Sequence, residues 1–95
     1  MSKFKELSAE IGELVERKNK AYGNSFATCA KALELLHPEG IPVEKYQDVL
    51  IFVRMWDKHS RIAHEKEAFD ESPYRDLCGY SLLGWDSDEA EKEKK

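Results

Sequence analysis

Apolar positions recur along this chain at helical spacing. Phe4, Leu7, Ile11, Leu14 and Val15 fall three and four residues apart, which predicts a first helix from about Phe4 to Tyr22. Gly23 then supplies a residue able to take positive φ after a helix end. Asn24 or Ser25 is a natural N-cap for a second helix, from about Phe26 to Leu36. The run His37 to Pro42, with two prolines and a glycine, breaks the chain. A third and longest helix is predicted from about Val43 to Lys66. Ser72 caps a short fourth helix. Pro73 opens it at the first helical position, where its missing N–H costs nothing, and it is predicted to end near Gly84. No period-two alternation suggests a strand. The fold class expected is all-α, a compact four-helix domain.

Polar residues break into these apolar faces at specific places. At about 100° per residue with Leu7 at zero, the apolar set of the first helix clusters between about −20° and +80°. Lys18 falls at about 20° and Tyr22 at about 60°, within the stripe. A lysine there either snorkels past the helix end or opens onto a polar cavity. Glu13 and Glu16 lie far from the stripe and Glu10 on its edge, so this ExxE set is expected to form a solvated face rather than a magnesium site.

In the third helix Tyr46, Val49, Leu50 and Val53 share a face that continues as Asp57, Ser60, Arg61 and His64, with Arg54 at its edge. A face that is greasy at one end and polar at the other suggests that the first end packs and the second lines a pocket. The competing account is an ion-pair ladder, Arg54–Asp57–Arg61, at helical i, i+3 and i+4 spacing. Phe52, Met55 and Trp56 occupy other sides of the same helix, where they would suit a protein-binding surface. His59 and His64 lie about 140° apart and cannot share one metal. Ser60 could donate to a phosphate or bond back to its own helix. In the fourth helix Leu77, Tyr80 and Leu83 are expected to point inward. Asp76, between two of those directions, is either a site acid or a first-turn acid favoured by the helix dipole.

Composition narrows the picture. Of 95 residues, the stretch from Trp85 to Lys95 carries five acids and three lysines, and it is expected to be a charged, frayed tail. The helical domain then occupies residues 1–84. A domain this small buries little of its surface, so assembly with copies of itself is expected. The net charge of −4 argues against general nucleic-acid binding. No apolar run is long enough to span a membrane. Cys29 and Cys78, 49 residues apart, read as buried reduced thiols, which suits the cytoplasm.

Together these features describe a pocket for a phosphorylated, nucleotide-like molecule. The junction at Gly23, Asn24 and Ser25 is expected to expose backbone N–H groups at a helix start, a ready anion site that Lys18 and Lys20 approach from the preceding turn. Arg54 and Arg61 offer planar bidentate donors suited to phosphate. Tyr22, Tyr80 and Phe26 offer flat surfaces for a base. Asp57 or Asp76 could accept from exocyclic amines and ribose hydroxyls, or hold magnesium.

The runs ERKNKAYGNSF, VRMWDKHSRIA and FDESPYRDLCGYSLL resemble the phage and bacterial nucleotide-modification-associated all-helical domain family. The resemblance is carried by Lys18, Tyr22, Gly23 and Ser25; by Arg54, Asp57, Lys58 and Arg61; and by Glu71, Ser72, Asp76 and Tyr80. Ala21 departs from the pattern, standing where many members have an aspartate, and this removes a candidate metal-binding acid. The resemblance implies a role on or around nucleotides, in a phage setting and in the host cytoplasm. In general character the chain is also similar to helical pyrophosphohydrolases of the MazG type. Those use clustered carboxylates to bind magnesium and activate water.

Two functions are therefore expected to compete. The first is a non-catalytic protein that sequesters a nucleotide or nucleotide-derived signal, with an anti-defence role, using Lys18, Tyr22, Asn24, Ser25, Arg54, Asp57, Lys58, Arg61, Asp76 and Tyr80. The second is a magnesium-dependent nucleotide pyrophosphohydrolase or accessory enzyme of nucleotide modification, with Asp57, Glu71 and Asp76 as its acids. The first is preferred because few acids are free to serve a metal.

Overall fold

A computed structural model describes residues 3–67 and 71–94. It is all-α: α1 (Lys3–Ala21), α2 (Ser25–Leu36), α3 (Tyr46–Glu65) and α4 (Pro73–Lys94), with a 3-10 turn over Val43–Lys45 leading into α3. There is no strand among the described residues. α3 is the spine: α4 packs along it most extensively, and α1 and α2 each lean against it. The turn after α1 needs two consecutive left-handed residues, Gly23 at φ 58° and Asn24 at φ 55°. Glycine and asparagine are the residues that take this conformation at least cost. No helix among the described residues is long and apolar enough to cross a membrane.

The structure corrects three expectations. The first is compactness. The radius of gyration is 17.0 Å and the longest dimension 60 Å, against about 12–13 Å of radius for a compact domain of this length. The second concerns α4, which does not stop near Gly84 but runs on through the charged segment to Lys94. Gly84 is no terminator here, because it lies where α4 passes α3, with Ile51 Cδ1 only 3.7 Å from where a Cβ would be. Beyond it, the Ser87 hydroxyl meets Gln47 of α3 at 3.3 Å and Trp85 Nε1–H donates to Glu89 at 3.3 Å. Lys92 then pairs with Glu89, and Lys94 with Glu91, one turn apart. Good helix formers with such i, i+3 and i, i+4 partners extend a helix without a core.

The third correction concerns α3. Within the polar end of its inner face Ser60 and Arg61 are buried and packed, while Asp57 lines a cleft; at the greasy end Val49 and Val53 are half-buried but Tyr46 and Leu50 are exposed. Arg61 is only 1 % exposed, and its guanidinium donates to the main-chain carbonyls of Lys66, at 3.4 Å, and Glu71. A buried cation is tolerated because fixed carbonyl dipoles replace its water. Pro73, also fully buried, seats the first turn of α4 beside it. Among the described residues, buried apolar side chains are otherwise few: Ala21, Cys29 and Leu77. Large apolar residues on α1, α2, the start of α3 and the middle of α4 face solvent.

Replacing Arg61 with Ala should leave the carbonyls of Lys66 and Glu71 without this donor and cost about 2–4 kcal/mol of stability. The urea midpoint would fall accordingly, and Arg61→Lys, which offers no planar fork, should recover only part of it. An unchanged midpoint would remove Arg61 from its role as a brace.

Candidate functional site

A cleft of about 320 Å³ opens where α1 ends and α2 begins, beside the middle of α3. Leu14, Val15 and Phe26 form its apolar wall, and Lys18, Asn19, Tyr22, Ser25 and Asp57 its polar positions. Helical spacing explains the α1 contribution, since residues 14, 15, 18 and 22 share one face. Lys18 resolves as an exposed side chain at the edge of the cleft, continuous with the apolar stripe. Ser25, buried at the first position of α2, lines the cleft and brings that helix terminus beside it. The Gly23 and Asn24 N–H groups, expected to be open to an anion, instead donate to the carbonyls of Lys20 and Asn19, so only the N–H groups from Ser25 onward belong to the terminus. Asn24 occupies the N-cap position but makes no capping bond with its side chain, and it is exposed beside the cleft.

The wall behind Tyr22 is built from α3 and α4. Lys58 Nζ lies 5.9 Å from the centre of the Tyr22 ring and 3.0 Å from the Asp76 carboxylate. Burial pulls the Lys58 ammonium down, but the Asp76 carboxylate, with Tyr22 and Tyr80 nearby, more than reverses this and holds it above the ordinary lysine value. Lys58 is thus a charged pin across three helices, with a cation–π contact on one side and an ion pair on the other. Under the same junction, the His64 ring presses on the backbone of Gly23, leaving no room for a Cβ, while Nδ1–H donates to the Ser60 carbonyl at 2.8 Å. On the far side of α3, Trp56 Nε1–H donates to Thr28 Oγ1 at 3.0 Å and its ring tilts against Phe52 at 5.8 Å. Phe52, Met55 and Trp56 are therefore half-buried rather than an open protein-binding surface. Burial, and then the charge of Asp57, push the Cys29 thiol up, so it stays protonated and inert, whereas Cys78 is exposed.

The expected site residues therefore divide. Lys18, Tyr22, Ser25 and Asp57 meet in the cleft, with Lys58 and Asp76 behind it. Arg54 and Tyr80 line a different groove, between α3 and α4, with Gln47, Leu50, Ile51 and Leu83. Glu71 and Asp76 share a small polar recess with Ser72 and Arg75 at the start of α4. Arg61, expected as a phosphate clamp, is instead buried against the α3–α4 connection. Glu10, Glu13 and Glu16 are solvated, as expected. Among the described residues no three histidines, cysteines or acids are arranged to hold a metal ion, so Asp57, Glu71 and Asp76 do not form one cluster within the chain. Leu14, Val15 and Asn19 were not anticipated as lining residues, whereas Phe26, expected as a flat surface for a base, does line the cleft. Asn19, at about 120° on the α1 wheel, lies just beside the stripe and was within reach of that argument.

No protein family matches this chain, and no curated protein or solved structure is significantly similar to it.

Gly23→Ala should be severely destabilising, combining about 1–2 kcal/mol of left-handed strain with overlap on the His64 ring. Adding His64→Ala should relieve the overlap and leave only the strain. If the double variant is no more stable than Gly23→Ala in thermal unfolding, the packing of His64 on this turn does not matter.

Proposed function

We propose that this protein binds a phosphorylated, nucleotide-like small molecule in the cleft between α1, α2 and α3 and holds it without chemistry. The observation that carries this reading is the convergence in one cleft of a cation, an aromatic ring, a helix N-terminus and an apolar wall, with a single carboxylate. Each matches part of such a ligand. The N–H groups at the start of α2 and the Lys18 ammonium favour a phosphate. Tyr22 and Phe26 offer flat faces for a base. Asp57, which would repel a phosphate, suits an exocyclic amine or a ribose hydroxyl instead. A volume of about 320 Å³ is at the small end of ligand pockets, enough for one nucleoside moiety.

The resemblance to nucleotide-modification-associated domains points the same way, because Lys18, Tyr22, Ser25 and Asp57 belong both to its motifs and to the cleft. Sequestration is preferred over magnesium-dependent pyrophosphate hydrolysis because, among the described residues, only one acid, Asp57, lines the cleft. In a phage setting, such a holder would deplete a nucleotide signal of host defence.

The pure protein should be incubated with nucleoside triphosphates, cyclic dinucleotides and cyclic ADP-ribose forms, with and without magnesium. It should then be heat-denatured and the released molecules identified by mass spectrometry. Depletion followed by intact recovery is expected, with Lys18→Ala and Tyr22→Ala each weakening retention about tenfold or more and Arg61→Ala acting only through stability. Magnesium-dependent conversion to a product would replace the holding role with catalysis. Failure to retain any compound would remove the nucleotide reading.

A further inference from the structure

The face of α1 that forms the apolar wall of the cleft does not end at the cleft. Phe4, Leu7, Ile11, Leu14, Lys18 and Ala21 are spaced three, four, three, four and three residues apart, the a/d seam of a coiled coil. The fold uses this seam unevenly. At its C-terminal end Ala21 is 1 % exposed, packed within the chain, and Lys18 borders the cleft. Towards the N-terminus Phe4, Leu7 and Ile11 are bare, as is the flanking Val15, and Phe26 extends the patch across the cleft mouth.

These five side chains are 45 % to 87 % exposed, which leaves on the order of 500 Å² of contiguous apolar surface at about 150–250 Å² for a large side chain. A patch of about 500 Å² is in the range of the largest patch on a typical monomer, which is often functional. A standard interface buries about 800 Å² per partner, of which roughly 65% is apolar in homodimers, so the bare face matches the apolar share of one dimer interface.

We propose that this face pairs with the same face of a second copy, α1 against α1 antiparallel, and that the partner's Phe4 closes the ligand cleft. This rests on the cleft being the ligand site. Three observations favour a second copy over an unrelated partner. The spacing of Phe4, Leu7, Ile11 and Leu14 reads the same in both directions. An antiparallel copy therefore meets it layer for layer, Phe4 against Leu14 of the partner subunit and Leu7 against Ile11 of the partner subunit, about a two-fold axis. The patch area fits one such interface. Finally, a chain whose buried apolar side chains, among the described residues, are as few as Ala21, Cys29, Pro73 and Leu77 needs cover at all times, and only another copy is present whenever the chain is made.

The register has a consequence for the site. Leu14 lines the cleft, so the residue set opposite it joins the lining. Within one chain Phe4 is ten residues from Leu14, about 15 Å along the helix, and cannot reach the cleft itself. In the pair, each cleft gains an aromatic ring from the other protomer, opposite the wall that carries Tyr22 and Phe26. Ligand binding and pairing are then coupled, since each favours the state that the other needs.

Analytical ultracentrifugation of the full chain should give twice the 11.0 kDa chain mass, and Ile11→Glu should abolish pairing. Because that variant could fail to fold, cross-linking gives an independent reading. In a Cys78→Ser background, Phe4→Cys combined with Leu14→Cys should form a covalent dimer on oxidation, and Phe4→Cys alone should not. Phe4→Ala, at a position 81 % exposed in the single chain, should leave helix content intact yet lower affinity for ATP or cyclic di-AMP about tenfold. A monomeric mass, or cross-linking by Phe4→Cys alone, overturns the antiparallel pairing. Unchanged affinity in Phe4→Ala overturns the shared cleft. If the wild type binds neither probe while the mass and the cross-link are as stated, the nucleotide reading fails and the pairing stands.

Discussion

The burial of Arg61 orders the rest of this molecule. Its guanidinium, at the C-terminal end of α3, holds the carbonyls of Lys66 and Glu71, and so ties the end of one helix to the approach of the next. Pro73 sits buried at the start of α4 and fixes where that helix begins. With α4 placed, Asp76 reaches Lys58 across the α3–α4 interface, and Lys58 in turn lies over the ring of Tyr22. His64, one turn beyond Ser60, seats the left-handed turn after α1. The cleft is thus positioned by a relay of polar contacts rather than by an apolar core. Such contacts are directional and specify geometry, although each contributes modestly to net stability.

That economy leaves the chain with an imbalance. Its polar end packs internally, while its large apolar side chains on α1, α2, the start of α3 and the middle of α4 face outward. The extended shape, 60 Å in its longest dimension, follows from the same fact: helices with little to bury against one another form a loose, elongated bundle along α3. A second copy laid on α1 would supply what the single chain lacks. It would also explain why the apolar stripe of α1 continues without a break from the bare N-terminal half into the wall of the cleft.

On the function proposed above, the cleft recognises its ligand rather than turning it over. One carboxylate, one ammonium and a helix N-terminus can balance the charge of a phosphorylated ligand, whereas a two-metal hydrolase needs several acids directed at the same point. Glu71 and Asp76 face another recess, and the Asp76 carboxylate is paired with Lys58. The arginines that looked like phosphate clamps serve elsewhere, Arg61 as a brace and Arg54 in the groove with Tyr80.

Much of this was decided by local sequence. Four helices, their breaks at Gly23 and at the His37–Pro42 turn, Pro73 as a helix start, and the placement of Lys18 and Tyr22 on the apolar face of α1 all follow from periodicity and from the backbone preferences of glycine and proline. Those forces act within a few residues and leave a pattern that can be read. The continuation of α4 to Lys94 was missed because a charged run without apolar periodicity signals only that it cannot form a core, and helix-forming residues with their own i, i+3 and i, i+4 pairs need none. Which end of α3 would be buried was equally undecided by its pattern. A face that turns from greasy to polar says that its ends differ, but only the arrival of the Glu71 carbonyl, ten residues on, makes burial of Arg61 affordable. The division of the candidate residues among a cleft, a groove and a recess has the same origin. Residues on one helix face share a direction, but whether they share a cavity depends on where the neighbouring helices cross, and that is a property of the tertiary structure alone.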